Sequence, residues 1–305
     1  MSRWHSLSLL HLGLCLGACT ERALEIPRDG GMSRDMAAIV RDGAVADLAS
    51  TDFAGIRPDP CPAGTEFIYT IDENTTLSRF NPVVAQFFDV GSIGCPADPG
   101  DTPNSMAIDR TGNGWVNYRS GALYRLDTSN ASCMPTGYVA GQHGFLNFGM
   151  SFAQDTPGSS DETLWVTPTA SKTARLASID LTSFVVSTPV TVDTDGNGEL
   201  TGDDQANLWG FFPDVATPFV ARIDKQTGSL DRFFDMPQLV GTAVAWGFAA
   251  YQGNFYLFLQ RDIDSSTVIY ELDGTTGELT TVIPDTGRRI VGVGVATCAG
   301  NGPAQ

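Results

Sequence analysis

Leu208-Trp209-Gly210-Phe211, a turn, Val220-Ala221-Arg222-Ile223-Asp224, a second turn and Ser229-Leu230-Asp231-Arg232-Phe233-Phe234 follow one another in the second half of the chain. Each run is short and rich in aromatic and branched residues, and reads as a strand. The link Asp224-Lys225-Gln226-Thr227-Gly228 reads as a hairpin turn. Its Asp side chain can accept from the turn backbone, and its Gly supplies a positive φ.

The same phrase recurs along the chain. An aromatic or aliphatic strand is followed by one ending in Asn or Asp. The pairs are Phe67-Ile68-Tyr69 with Leu77 to Asn81, Trp115 to Tyr118 with Leu123 to Asp127, and Leu164-Trp165-Val166 with Leu176 to Asp180. The fifth is Phe255 to Phe258 with Ile269 to Asp273, which leads into Asp273-Gly274-Thr275-Thr276-Gly277. The terminal Asn/Asp positions lie 46, 53, 44 and 49 residues apart. That period matches a four-stranded blade.

An apolar strand rich in Gly and Ala precedes four of the five pairs: Ser105 to Ile108, Phe148 to Phe152, Glu199 to Gly202 and Trp246 to Ala250. Small residues suit strands crowded around an axis. The first pair has no such strand before it, whereas Ile290 to Ala296 at the far end is one to spare. The sequence therefore predicts an all-β domain, a five-bladed β-propeller closed by a C-terminal inner strand, over residues 61–298, with a short tail at 299–305.

Four cysteines lie in this region: Cys61, Cys95, Cys133 and Cys298. An even number in an exported chain reads as disulfides, with three pairings possible. Cys61–Cys298 would staple the ring closure, and Cys95–Cys133 would tie the first two blades. No Cys-x-x-Cys occurs, so zinc or thioredoxin-type chemistry has no support.

The chain begins Met1-Ser2-Arg3, followed by an apolar run from Leu7 to Leu16 that is too short to span a bilayer. Leu16-Gly17-Ala18-Cys19 is similar to a bacterial lipobox, which implies lipidation at Cys19 and a signal peptide over 1–19. Thr20 after the cysteine favours the outer membrane by the same resemblance. Residues 20–60 hold one aromatic, Phe53, among many Asp, Ala, Gly and Arg residues, and read as a flexible acidic tether. The membrane is thus reached through lipid alone.

The 305 residues carry 35 acidic and 18 basic side chains, a net charge of −17. That excludes a broad nucleic-acid-binding face. With the signal removed, His143 is the single histidine, flanked by Gln142 and Gly144. A Ser-His-Asp site would have to use it, and a multi-histidine metal centre is excluded by count. The inner strands offer one acid, Glu199, which argues against a two-carboxylate glycosidase. No catalytic residue is assigned.

Asp193 to Asp204 has the spacing of a calcium loop: Asp193, Asp195 and Asn197 as alternate ligands, Gly198 at the turn, Glu199 through its carbonyl, and Asp204 at the last position. The flanks, Val190-Thr191-Val192 and Leu208 to Phe211, read as strands rather than helices, and Glu199 to Gly202 also reads as an inner strand. The segment is therefore either a calcium site or an acidic turn between blades.

Two resemblances bear on function. Pro103-Asn104-Ser105-Met106-Ala107-Ile108-Asp109 resembles segments of gluconolactonase-like propellers. That resemblance implies a metal-dependent hydrolase or lactonase with a divalent ion at the channel top, near Asn104, Asn147 and Glu199. More of the chain resembles predicted propeller-like lipoproteins of myxobacterial and related deltaproteobacterial genomes, through the Gly198 to Gly202, Leu208 to Phe212 and Ala221 to Gly228 blocks. This second resemblance implies fold and address, and no reaction. The leading expectation is a non-catalytic module that binds a protein or glycan at the cell surface.

Overall fold

The computed structural model describes residues 61–171 and 173–299. The lipobox with Cys19 and the tether at 20–60 lie outside the described residues, as do the last positions of the tail. The strands, in chain order, are β1 (Ile68–Asp72), β2 (Thr76–Asn81), β3 (Gln86–Ser92), β4 (Pro103–Ile108), β5 (Asn113–Tyr118), β6 (Leu123–Asp127) and β7 (Cys133–Pro135). Then come β8 (Phe148–Gln154), β9 (Glu162–Pro168), β10 (Thr173–Ile179), β11 (Val190–Asp195), β12 (Glu199–Gly202), β13 (Leu208–Phe212), β14 (Phe219–Ile223) and β15 (Leu230–Asp235). The last five are β16 (Ala243–Tyr251), β17 (Asn254–Arg261), β18 (Val268–Leu272), β19 (Leu279–Ile283) and β20 (Ile290–Gly294).

They form five four-stranded antiparallel sheets. Four are simple meanders, β4 to β7, β8 to β11, β12 to β15 and β16 to β19. The remaining sheet runs β20-β1-β2-β3, so the C-terminal strand is the inner strand of blade one. Both ends of the chain segment thus share one sheet, and the ring has no exposed seam. Among the described residues no helix is long and apolar enough to cross a membrane.

A radial size gradient explains why these residues make blades. One position of each second strand holds a large aromatic: Tyr69, Trp115, Trp165, Trp209 and Tyr256. Its partners on the inner strands are Gly294, Ala107, Ser151, Thr201 and Ala249, all small. Blades are wedges, so volume must fall towards the axis. Near the axis the fit is tight. A Cβ added at Gly202 would stand 2.2 Å from Phe152 O in the neighbouring blade, and one at Gly247 would stand 2.2 Å from Val293 Cγ2.

The acidic turns have structural work. Asp224 Oδ1 accepts from Gln226 N at 2.9 Å and Thr227 N at 2.7 Å, and Gly228 follows with φ 75°. Asp273 does the same with Thr275, Thr276 and Gly277. Asp127 and Asp180 repeat the caps, although Ala131 and Phe184 occupy the positive-φ position there. A second set caps the inner hairpins. Asp109 and Asp203 accept from their turn backbone and from the indole N–H of Trp115 and Trp209.

Cys61 pairs with Cys298, with a Cα–Cα distance of 5.6 Å, beside the closing strand. Cys95 pairs with Cys133, linking the end of blade one to the outer strand of blade two. Two disulfides mark a domain that matures in an oxidising compartment outside the cytoplasm.

Candidate functional site

Pairing of Pro103 with Tyr118 puts the start of an inner strand beside the end of the second strand. The five inner-strand starts and the turns after the second strands therefore gather at one end of the axis. A cavity of about 500 Å³ opens there, within the size range of small-molecule sites. Every blade contributes: Asn104 and Arg119 from blade two, Asn147, Thr169 and Ala170 from blade three, Glu199 from blade four, Val244, Ala245 and Trp246 from blade five, and Val291 from blade one.

The walls differ in chemistry. The side formed by blades two and three is polar and internally stitched. Asn117, fully buried, accepts from Asn104 Nδ2 and from Phe148 N, each at 3.2 Å, and donates to Ala122 O and Leu146 O. Asn104 Nδ2 also lies 3.2 Å from Phe148 O and 3.4 Å from Thr169 Oγ1. Asn147 Nδ2 donates to Arg119 O at 3.1 Å, while Asn147 Oδ1 is buried with no hydrogen-bond partner. The opposite side, Val244, Ala245, Trp246 and Val291, is apolar apart from its indole N–H.

Glu199 forms the inner end. It is 1% exposed, and its Oε1 accepts from Ser105 Oγ and from Met150 N, both at 2.8 Å. The carboxyl thus reaches from blade four past blade three to blade two. Room for it exists because position 149 is glycine: a Cβ there would stand 2.8 Å from Glu199 Oε1. Burial, opposed by these hydrogen bonds, pushes its pKa up to about 8, so the group is largely the neutral acid at pH 7.

Asn104, Asn147 and Glu199 accordingly meet around one cavity, but as a donor set they fit a divalent ion poorly. They offer a single carboxyl, one oxygen of which already takes two donors, and burial favours its neutral form. Hard divalent ions are held by several oxygens, usually with more than one carboxylate. Among the described residues no group of three or more His, Cys, Asp and Glu stands ready to hold a metal.

The calcium-loop residues are distributed over two blades. Asp193 and Asp195 lie on the outer strand β11. Asn197 sits in the link to blade four, where it bonds Ser171 N and Asp214 Oδ2. Glu199 opens β12 with its side chain at the axis, and Asp204 lies beyond the far end of that strand. The reason is the one the sequence already contained: an extended strand occupies the second half of the loop, so the segment does not wrap one centre. His143 is exposed in a single 3₁₀ turn, Gln142–Gly144, and its carbonyl accepts from Arg175.

Arg119, Thr169 and Trp246 were not singled out in the sequence. Arg119 could have been found: it follows the second strand directly, and that turn lies at the same end as the inner-strand starts. A second cavity of about 330 Å³ on the flank of blade four includes Arg222 and Asp231, which already pair with each other at 2.6 Å.

No protein-family model matches the sequence, and no curated protein is similar to it. Solved structures with a similar course of the chain include virginiamycin B lyase from Staphylococcus aureus, 14% identical over 72% of this chain and 70% of that one, with a TM-score of 0.41. A luciferin-regenerating enzyme is 13% identical over 77% of this chain and 94% of that one, with a TM-score of 0.46. TolB from Acinetobacter baumannii is 17% identical over 71% of this chain and 52% of that one, with a TM-score of 0.44. The likeness is one of architecture and carries no activity across.

Proposed function

We propose that this chain is a lipid-tethered, non-catalytic binding module of the bacterial outer membrane that receives its partner, a protein or a glycan, at the axial mouth. The observation that carries the reading is the convergence of all five blades on one cavity with a polar wall and an apolar wall. A ligand seated there touches the whole ring at once, on strands held rigid by the closure. The groups at the mouth bind and orient. Among the described residues no nucleophile–base pair lines it, and the one carboxyl that does is tied to Ser105 and Met150. The lipobox at Cys19 and the tether at 20–60 supply the anchor and the reach in this reading.

Two variants test it. Ala170 is exposed at the rim, so Ala170→Trp narrows the mouth without disturbing the core. The full chain and this variant are compared for retention on isolated cell-envelope glycan and on surface-protein fractions. Retention of the full chain, lost with Ala170→Trp at an unchanged melting temperature, is expected. Equal retention of both proteins would place binding elsewhere. Separately, Cys19→Ala should release the protein from membranes and abolish labelling by radioactive palmitate.

A further inference from the structure

Ten arginines lie between residues 61 and 299. Most are visibly employed. Arg222, Arg261, Arg288 and Arg289 face carboxylates. Arg125 and Arg175 donate to Asn113 and to a backbone carbonyl. Arg79 and Arg232 lie over aromatic rings, and Arg110 has its own interactions. Among the described residues, Arg119 is the arginine whose guanidinium has no carboxylate, carbonyl, amide or ring partner, and it lines the axial cavity.

Its setting makes that vacancy informative. The chain carries a net charge of −17, yet among the described residues the ionisable side chains lining the cavity are Arg119 and Glu199. The nearby acid, Asp101, is held in its own turns, where its Oδ1 accepts from Thr102 N and Ser120 N, each at 3.0 Å, and it makes no ion pair with Arg119. Among the described residues the mouth therefore presents one guanidinium free of any ion pair in an acidic molecule. A guanidinium presents a fork of donors suited to a carboxylate. With one cation among the described residues of the mouth, in an acidic protein, a monoanion is favoured over a phosphate dianion. Beside it stand the Thr169 hydroxyl and the buried acceptor Asn147 Oδ1, while Trp246, Val244 and Val291 offer a flat apolar surface opposite.

From this juxtaposition we infer that the axial cavity recognises a small amphipathic monocarboxylate, with its carboxylate on Arg119 and the face of its ring or hydrocarbon body against Trp246. The inference rests on the mouth being a binding site, and it adds the class of group that the site selects.

The test uses the full chain and four probes: benzoate and cyclohexanecarboxylate, each against its uncharged carboxamide. Binding is read by ligand-observed NMR and by thermal shift. Both carboxylates are expected to bind at least tenfold more tightly than their amides. Arg119→Ala should remove that preference, Arg119→Lys should restore part of it, and Trp246→Ala should weaken acids and amides alike. Arg119 is exposed, so its variants should keep the wild-type melting temperature. Equal binding of acid and amide, undiminished carboxylate binding by Arg119→Ala, or no binding of any probe would overturn the inference. The envelope-retention experiment is independent of these probes. Its success beside their failure would leave a mouth that selects another chemistry, and its failure would remove the mouth itself.

Discussion

The two ends of the propeller axis are built from the same five strands and do opposite things with their polar groups. At the closed end most of the conspicuous polar side chains are engaged within the protein, Trp165 Nε1 and Gln154 Nε2 being buried exceptions. Asp109 and Asp203 cap hairpins and hold indoles. Glu162 accepts from Arg110 N at 2.6 Å and from Thr297 Oγ1 at 2.8 Å, and Cys61–Cys298 locks the segment after β20. At the open end a guanidinium and a buried amide oxygen have no partner. Both ends contribute to folding stability, but the open end also keeps a guanidinium and an amide oxygen unspent. That is what a scaffold with a rigid ring and a variable mouth should look like.

The largest expected effect is on pH dependence, and it probes both ends. Burial, partly offset by hydrogen bonds, raises Glu162 to about 7 and Glu199 to about 8, from an ordinary value of 4.5. In each case the folded state binds its proton more tightly than the unfolded chain. The stabilisation is therefore complete below about pH 4.5 and is lost as pH rises, through about 7 for Glu162 and about 8 for Glu199. By linkage the loss is about 3 kcal/mol at the closed end and about 5 kcal/mol at the mouth. Carboxylates held low by caps and ion pairs, such as Asp89, Asp127 and Asp231, act in the opposite sense below about pH 4. Urea melts from pH 3 to pH 9 should show maximal stability near pH 4.5 to 5. Glu199→Gln should flatten the alkaline limb up to pH 8, and Glu162→Gln only up to pH 7.

Next in size are the disulfides. Closing bonds in exported domains contribute about 2–5 kcal/mol, with more expected for longer loops. Cys61–Cys298 spans a separation of 237 residues and Cys95–Cys133 a separation of 38. Replacing the first pair with serines should therefore cost more than replacing the second. Loss of the first should also raise hydrogen exchange in β20 and β1 selectively. Equal costs, with no preferential opening of that sheet, would show that strand pairing alone closes the ring.

How much of this was legible beforehand follows from what each feature depends on. The blade period, the ring closure and the turn caps are local patterns, and Asn81, Asp127, Asp180, Asp224 and Asp273 announce them in the sequence. The calcium spacing of Asp193 to Asp204 is equally local, but a string of ligands takes no account of the strand in its second half. The cavity is not local. Arg119 and Trp246 are 127 residues apart and meet only because the ring closes. Nor does the sequence reveal that a guanidinium lacks a partner, since that depends on where every acid points.

A middle-sized effect tests the crowded axis itself. Gly202→Ala would drive a methyl to 2.2 Å from Phe152 O, which backbone strands must absorb by moving apart. Overpacking of this kind costs about 1–3 kcal/mol. Gly141, on the loop at the open end, has nothing within 4 Å of such a methyl, although its φ of 82° strains any side chain. Gly141→Ala should cost about 1 kcal/mol, from backbone strain alone. If the two variants melt together, the inner strands yield more easily than their packing implies.

The smallest effect separates two blades that differ at the closed end. Trp209 Nε1 donates to Asp203 Oδ2 at 2.7 Å, and Trp115 does the same to Asp109. Trp165 holds the equivalent position in blade three, but its inner hairpin is longer, and its buried Nε1 has no hydrogen-bond partner. A hydrogen bond of this kind contributes about 1 kcal/mol, and an unsatisfied buried donor is itself unfavourable. Phenylalanine removes the donor in either blade while keeping a ring in the wedge. Trp209→Phe should therefore cost about 1–2 kcal/mol more than Trp165→Phe, the volume lost being the same. Equal costs would mean that the Asp–indole bonds add nothing to the closed end beyond turn capping. The contrast with the open end would then rest on the disulfide and Glu162 alone.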